Sequence, residues 1–187
     1  MKSSPMTRRH GARAATLVFV LSVAMAATLD GCAGTSSTFP PLGSTPQPAG
    51  DATTATQQAV IQALGRVGLQ ASVSVRPYRP PEGPLLTAAP RTVLEVPLQN
   101  DPEPAVIAIY ALATPEAANA AARDEADYIR SNIGGGIQMA PGTRVVLQVV
   151  GSNVVYFSWL PANSPDPATA AIALALASVG QSVPVTP

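Results

Sequence analysis

Apolar and polar positions divide this chain into a hydrophobic leader, an unpatterned connector and a patterned body. Residues 14–29 form a continuous apolar run behind Lys2, Arg8, Arg9 and Arg13. From Ala33 to about Thr54 the pattern disappears, leaving Gly, Thr, Ser, Pro and Ala with almost no charge. Such a segment buries too little apolar surface to offset its ordering entropy, so a flexible tether is expected. Patterning resumes near Ala55. Val60, Leu64 and Val67 recur at helical spacing, with Gly68 where a helix commonly stops.

Residues 71–76 then alternate apolar and polar at period two, which predicts a half-buried strand. Residues 77–90 hold five prolines and read as a loop. The apolar runs 92–98 and 105–112 predict two strands joined across Asn100-Asp101-Pro102. Pro97 implies an edge position or an early end for the first of them. Thr114-Pro115-Glu116 opens a helix, with Thr at the cap, Pro in the first turn and an acid near the positive end of the dipole. Its buried stripe is expected to be Ala118, Ala122, Ala126, Ile129 and Ile133, with Arg123, Asp124, Asp127 and Arg130 opposite. Gly134-Gly135-Gly136 stops it, since no helix and no lysine follow as a phosphate loop would need. A second hairpin, 144–150 and 153–160, turns at Gly151-Ser152, and Ser164-Pro165-Asp166 opens a last helix through Val179.

These elements predict an α+β fold, an antiparallel-rich sheet of about five strands with three helices. A weak internal repeat runs through it. Val93-Leu94-Glu95-Val96 parallels Val146-Leu147-Gln148-Val149, and Thr114-Pro115-Glu116 parallels Ser164-Pro165-Asp166. A duplicated strand-strand-helix unit would place helices on one face of the sheet. Coincidence of common hairpin and cap signals explains the parallel almost as well.

The leader has the basic, apolar and small-residue layout of a secretory signal peptide. Its apolar run of about 16 residues falls short of the roughly 20 that span a bilayer. Leu29-Asp30-Gly31-Cys32 resembles the lipobox of bacterial lipoproteins, although Asp30 stands where that pattern usually has an uncharged residue. The resemblance covers only these first 32 residues. It implies cleavage before Cys32, thioether attachment of diacylglycerol to its sulfur and often acylation of the new amino terminus. Two or three acyl chains would hold the protein at a membrane on the extracytoplasmic side. The chain would then comprise a signal peptide (1–31), a lipidated cysteine with its linker (32–54) and one domain (55–187). Ala24-Met25-Ala26 leaves a second route open, soluble secretion by cleavage between Ala26 and Ala27, with Cys32 a free thiol. An uncleaved anchor is a third.

Removing residues 1–31 takes away the only lysine and the only histidine. Seven arginines and ten acids then remain, a net charge of −3. That balance argues against nucleic acid, whose phosphates need clustered Lys and Arg. Without histidine or lysine the mature chain lacks the base that an activated Ser or Cys requires, and it has no Cys/His ligand set for zinc or iron. No cofactor is expected. Paired carboxylates could still serve hydrolysis, but Asp124, Glu125 and Asp127 interleave with Arg123 and Arg130 and read as a solvated helix face.

Among the aromatic residues, Tyr156, Phe157 and Trp159 share one strand. Phe157 and Trp159 point to one face and Tyr156 to the other, with Tyr110 in the counterpart strand. They fill a core, or Tyr156 and Trp159 form a ligand platform. The expected role is a non-enzymatic envelope lipoprotein that binds an envelope protein partner. A small-ligand-binding lipoprotein is the alternative. A bare apolar sheet face would favour the first and a concave pocket lined by Tyr156, Trp159 or arginine the second.

Overall fold

Helix α1 begins earlier than the apolar period suggests, spanning Asp51–Arg66 in the structure, a computed structural model that describes residues 50–132 and 139–185. The tether expected to reach Thr54 therefore overlaps the helix by one turn. The reason lies a hundred residues away in sequence. The Thr53 hydroxyl donates to Asn153 Oδ1 at 3.0 Å. The Asn153 amide donates to Thr56 Oγ1 at 3.0 Å and to the Ala52 carbonyl at 3.2 Å. Thr53, Thr56 and Asn153 are all buried, so these bonds fix the first turn of α1 to the sheet. Replacing Asn153 with Ala should strand these hydroxyls and cost about 2 kcal/mol, read as a lower denaturation midpoint. At the other end Gly68 takes the left-handed conformation, φ +79°, and closes α1. Val67, expected in the buried stripe, is 45% exposed because it already belongs to that turn.

The α+β class holds, with six strands and four helices among the described residues. Strands β1 (Ser72–Val73), β2 (Arg91–Val96), β3 (Ala105–Ala111), β4 (Arg144–Val150), β5 (Asn153–Trp159) and β6 (Gln181–Ser182) form one sheet in the order β1-β2-β3-β5-β4-β6. Every neighbouring pair is antiparallel. The additions are β6 and helix α2 (Pro84–Thr87), which starts on a proline inside the expected loop. β1 is only two residues long and exposed, so the alternating 71–76 segment is an open edge rather than a half-buried strand. β2 stops at Val96, before Pro97 can leave a gap in the ladder.

Helix α3 spans Pro115–Asn132, capped by the Thr114 hydroxyl accepting from the Ala117 amide at 3.2 Å. Helix α4 spans Ala168–Ala177, four residues later than Ser164, and Asp166 Oδ1, just ahead of it, accepts from the Ala168 amide of its first turn at 2.8 Å. Ile133 and the glycine triplet expected to end α3 lie outside the described residues.

Alternation along the strands sorts the core into two layers. On one face Leu94, Val96, Ile107, Ile109, Val155 and Phe157 pack with Val60 and Leu64 of α1 and with Ile172 and Leu176 of α4. On the other, Ala108, Tyr110, Leu147, Val154 and Tyr156 pack with the alanine stripe and Ile129 of α3 and with Leu86 of α2. Helices thus cover both faces, not one. The strand-strand-helix order occurs twice, but the halves are not symmetric copies. Leu94 and Leu147, equivalent in the repeat, point to opposite faces, as do α3 and α4. A rotation relating two antiparallel hairpins of one sheet would keep them on the same face.

Candidate functional site

The two hairpins meet between β3 and β5, and that pairing stops early. It runs from Ala111↔Asn153 to Ile107↔Phe157 and no further. β3 nevertheless begins two residues before Ile107, held there by β2 through Val96↔Ala105 and Glu95↔Val106. β5 continues two residues past Phe157, held by β4 through Val145↔Ser158 and Arg144↔Trp159. Each hairpin keeps its own ladder and its own twist, so the sheet forks.

The fork opens into a cavity of about 490 Å³, a volume typical of small-molecule sites. Ala105 and Val106 on one prong and Phe157, Ser158 and Trp159 on the other line it. Two polar bonds tie the β2–β3 turn to the segment after β5 and close one side. The Ser164 hydroxyl donates to Asp101, and the Asn100 amide donates to Asp166 Oδ2 at 2.7 Å. The Ala168 amide, and with it that of Asn100, holds the Asp166 carboxyl below the usual range, since both bond its charged form. Arg76 and Tyr78 line the cavity as well. Arg76 lies 3.9 Å from Glu103, and both side chains are largely exposed. Burial pushes the Tyr78 phenol up, against a lowering contribution from the Ser158 hydroxyl.

Of the two ligand candidates from sequence, one reaches this site. Trp159 lines the cavity, half-buried, its ring stacked on Phe157 with centroids 5.1 Å apart and planes 13° from parallel. Tyr156 does not. One residue earlier on the strand, it is fully buried and packs in the layer with α3. Burial pushes its phenol well up. The platform is therefore the lip of a fork, not an open sheet face. Tyr78, Glu95, Asp101 and Glu103 were not legible as a group, because they come from three separate segments with no local pattern in common. Cys32 lies outside the described residues.

A second polar cluster lies on the α3 side of the sheet. The Tyr110 hydroxyl donates to Glu82, whose carboxylate also meets Arg79 at 3.1 Å and Arg91 at 3.6 Å. The Gly83 amide donates to Glu125 Oε2 at 2.7 Å, and Glu125 Oε1 has no hydrogen-bond partner among the described residues. Glu125 corrects the expectation of a solvated acidic face. It is fully buried, while Asp127 stays outside with Arg130 at 2.7 Å. Burial pushes the Glu125 carboxyl up to about 7, with Glu82 and Asp124 adding to the rise and the Gly83 amide opposing it. A β-carbon on Gly83 would stand 3.2 Å from Glu125 Oε2 and 3.3 Å from Asp124 Oδ2, so glycine permits this close approach. Neither Glu82 nor Glu125 lines the cavity. Among the described residues no group of three or more His, Cys, Asp or Glu side chains could hold a metal ion, and no helix is long and apolar enough to cross a membrane.

No protein-family model, curated protein or solved structure matches this chain. The site's geometry and the leader's residues are what bear on its role.

Proposed function

We propose that this chain is a bacterial lipoprotein, anchored through lipid on Cys32 to the extracytoplasmic side of the cell membrane, whose domain binds a small ligand in the forked cavity. The observation that carries the binding reading is the cavity itself, with Trp159 and Arg76 in its wall. Glu125 and the Glu82 side chain, the carboxylates that burial and close approach set apart, sit elsewhere, beneath α3. Binding without chemical turnover is the reading this arrangement supports. For the anchor, support comes from Leu29-Asp30-Gly31-Cys32 behind a basic and apolar leader.

An envelope scaffold is the second reading. Both sheet faces are covered by helices, but Val73 on β1 is 52% exposed and Val75 just beyond it is 98% exposed. An open edge strand of this kind can accept another strand.

Intact-mass measurement on the protein recovered from host membranes tests the anchor. The expected species begins at Cys32 and carries diacylglycerol, and Cys32→Ser should abolish both the lipid and membrane retention. A soluble product beginning near Ala27, unchanged by the substitution, would overturn it.

A further inference from the structure

The charges around the cavity favour one kind of ligand. Three carboxylates, Glu95, Asp101 and Glu103, stand in its wall against one guanidinium, Arg76. The Arg76–Glu103 pair is long and solvated and so neutralises little. Glu95 Oε1 accepts from the Ser74 hydroxyl at 2.6 Å and Asp101 accepts from Ser164 through Oδ2. Glu95 Oε2 and Asp101 Oδ1 keep their acceptor capacity, with no hydrogen-bond partner among the described residues. The rest of the wall mixes apolar and aromatic side chains, Trp159 and Leu98 among them, with the neutral polar Ser158, Asn163, Ser164 and Thr169.

An anion entering this wall meets like charge. A neutral polyol leaves the excess carboxylates uncompensated while taking water from them, which costs free energy. An ammonium group meets both features at once. It donates charge-assisted hydrogen bonds to the carboxylates, and the indole of Trp159 attracts a cation near its face. Low-dielectric walls lined by one sign of charge also concentrate the counter-ion. An aliphatic stem on the ammonium would pack against Leu98 and the aromatic lip.

We infer that the cavity binds a primary ammonium carried on a short aliphatic stem, either a free amine or a lysine-like side chain on a peptide. The inference rests on the cavity being a binding site, and the experiment separates the two.

Trp159 is the chain's single tryptophan, so its fluorescence reports this site alone. The full chain in mild detergent is titrated with cadaverine, with pentanediol as its neutral isostere and with glutarate as its anionic one. Cadaverine is expected to change Trp159 emission saturably, more weakly as salt rises. Glu95→Gln and Glu103→Gln should each weaken it about tenfold, the size of one charge-assisted hydrogen bond. Glu103 is exposed, so its substitution leaves the fold intact. Nα-acetyl-lysine methylamide binding more tightly than cadaverine identifies a peptide-borne amine, and the reverse order a free one. Equal or stronger binding of pentanediol or glutarate, or indifference of cadaverine binding to both substitutions, overturns the ammonium assignment and leaves the cavity a binding site. No saturable response to any of these probes overturns both.

Discussion

Replacing Glu125 with Gln should stabilise the domain at pH 8 by about 2–3 kcal/mol and remove a fall in stability expected of the native chain between about pH 4.5 and 7. The sign follows from where the proton is held. Below pH 4.5, the ordinary value of this carboxyl, folded and unfolded chains both keep the proton. Between 4.5 and about 7 the unfolded chain releases it and the folded chain does not, so rising pH favours unfolding. Above 7 the folded chain carries a buried charge beside Glu82 and Asp124, and the whole cost is felt. Glutamine keeps an oxygen for the Gly83 amide and has no proton to lose. Urea midpoints of both proteins from pH 4 to pH 8 would check this. Parallel curves for the two would show that Glu125 is not the group responsible.

Phe157→Ala should cost more, about 3–5 kcal/mol, because it removes a fully buried ring from the central strand. It belongs to one buried cluster with Val96, Ile107 and residues of α1 and α4, elements from distant parts of the sequence that cannot collapse together into the space. The same substitution strips Trp159 of its stacking partner, so tryptophan emission should shift to the red in the folded protein. Phe157→Leu, nearer in volume, should cost about 1–1.5 kcal/mol. Equal losses for Ala and Leu would mean that packing of this ring is not what holds the strand.

The strongly periodic elements were legible in the sequence for a physical reason. β3 and β5 are buried on both sides and read as near-continuous apolar runs, while α3 announces itself by Thr114-Pro115 and its alanine stripe. Where tertiary contacts decide, the local pattern fell silent. Nothing near Asp51 reports that Asn153 will seize the first turn of α1. Nothing in Glu125 distinguishes it from Asp124 and Asp127 until the Gly83 amide and the α3 face are placed around it. Helix period alone would have set Glu125 beside Ala118, Ala122 and Ile129 rather than among the solvated acids, so that signal was present and was outweighed by composition. β6, two residues long, has too little sequence to carry a period at all.

Of the site, Trp159 could be named from its place in an aromatic strand, but the cavity could not. It arises from a mismatch of register ends. β2 and β4 hold their partners to the last residue, whereas β3 and β5 release each other two residues sooner. No single segment encodes that difference.

That mismatch also sets how the domain bears load. The β2–β3 ribbon is joined by six residue pairs and the β4–β5 ribbon by seven, but the weld between the ribbons has only five. The cavity lies at the open end of that weld. A molecule gripping Glu95 on one ribbon and Trp159 on the other acts as a further rung, so that the tightness with which it is held and the resistance of the ribbons to parting become a single quantity.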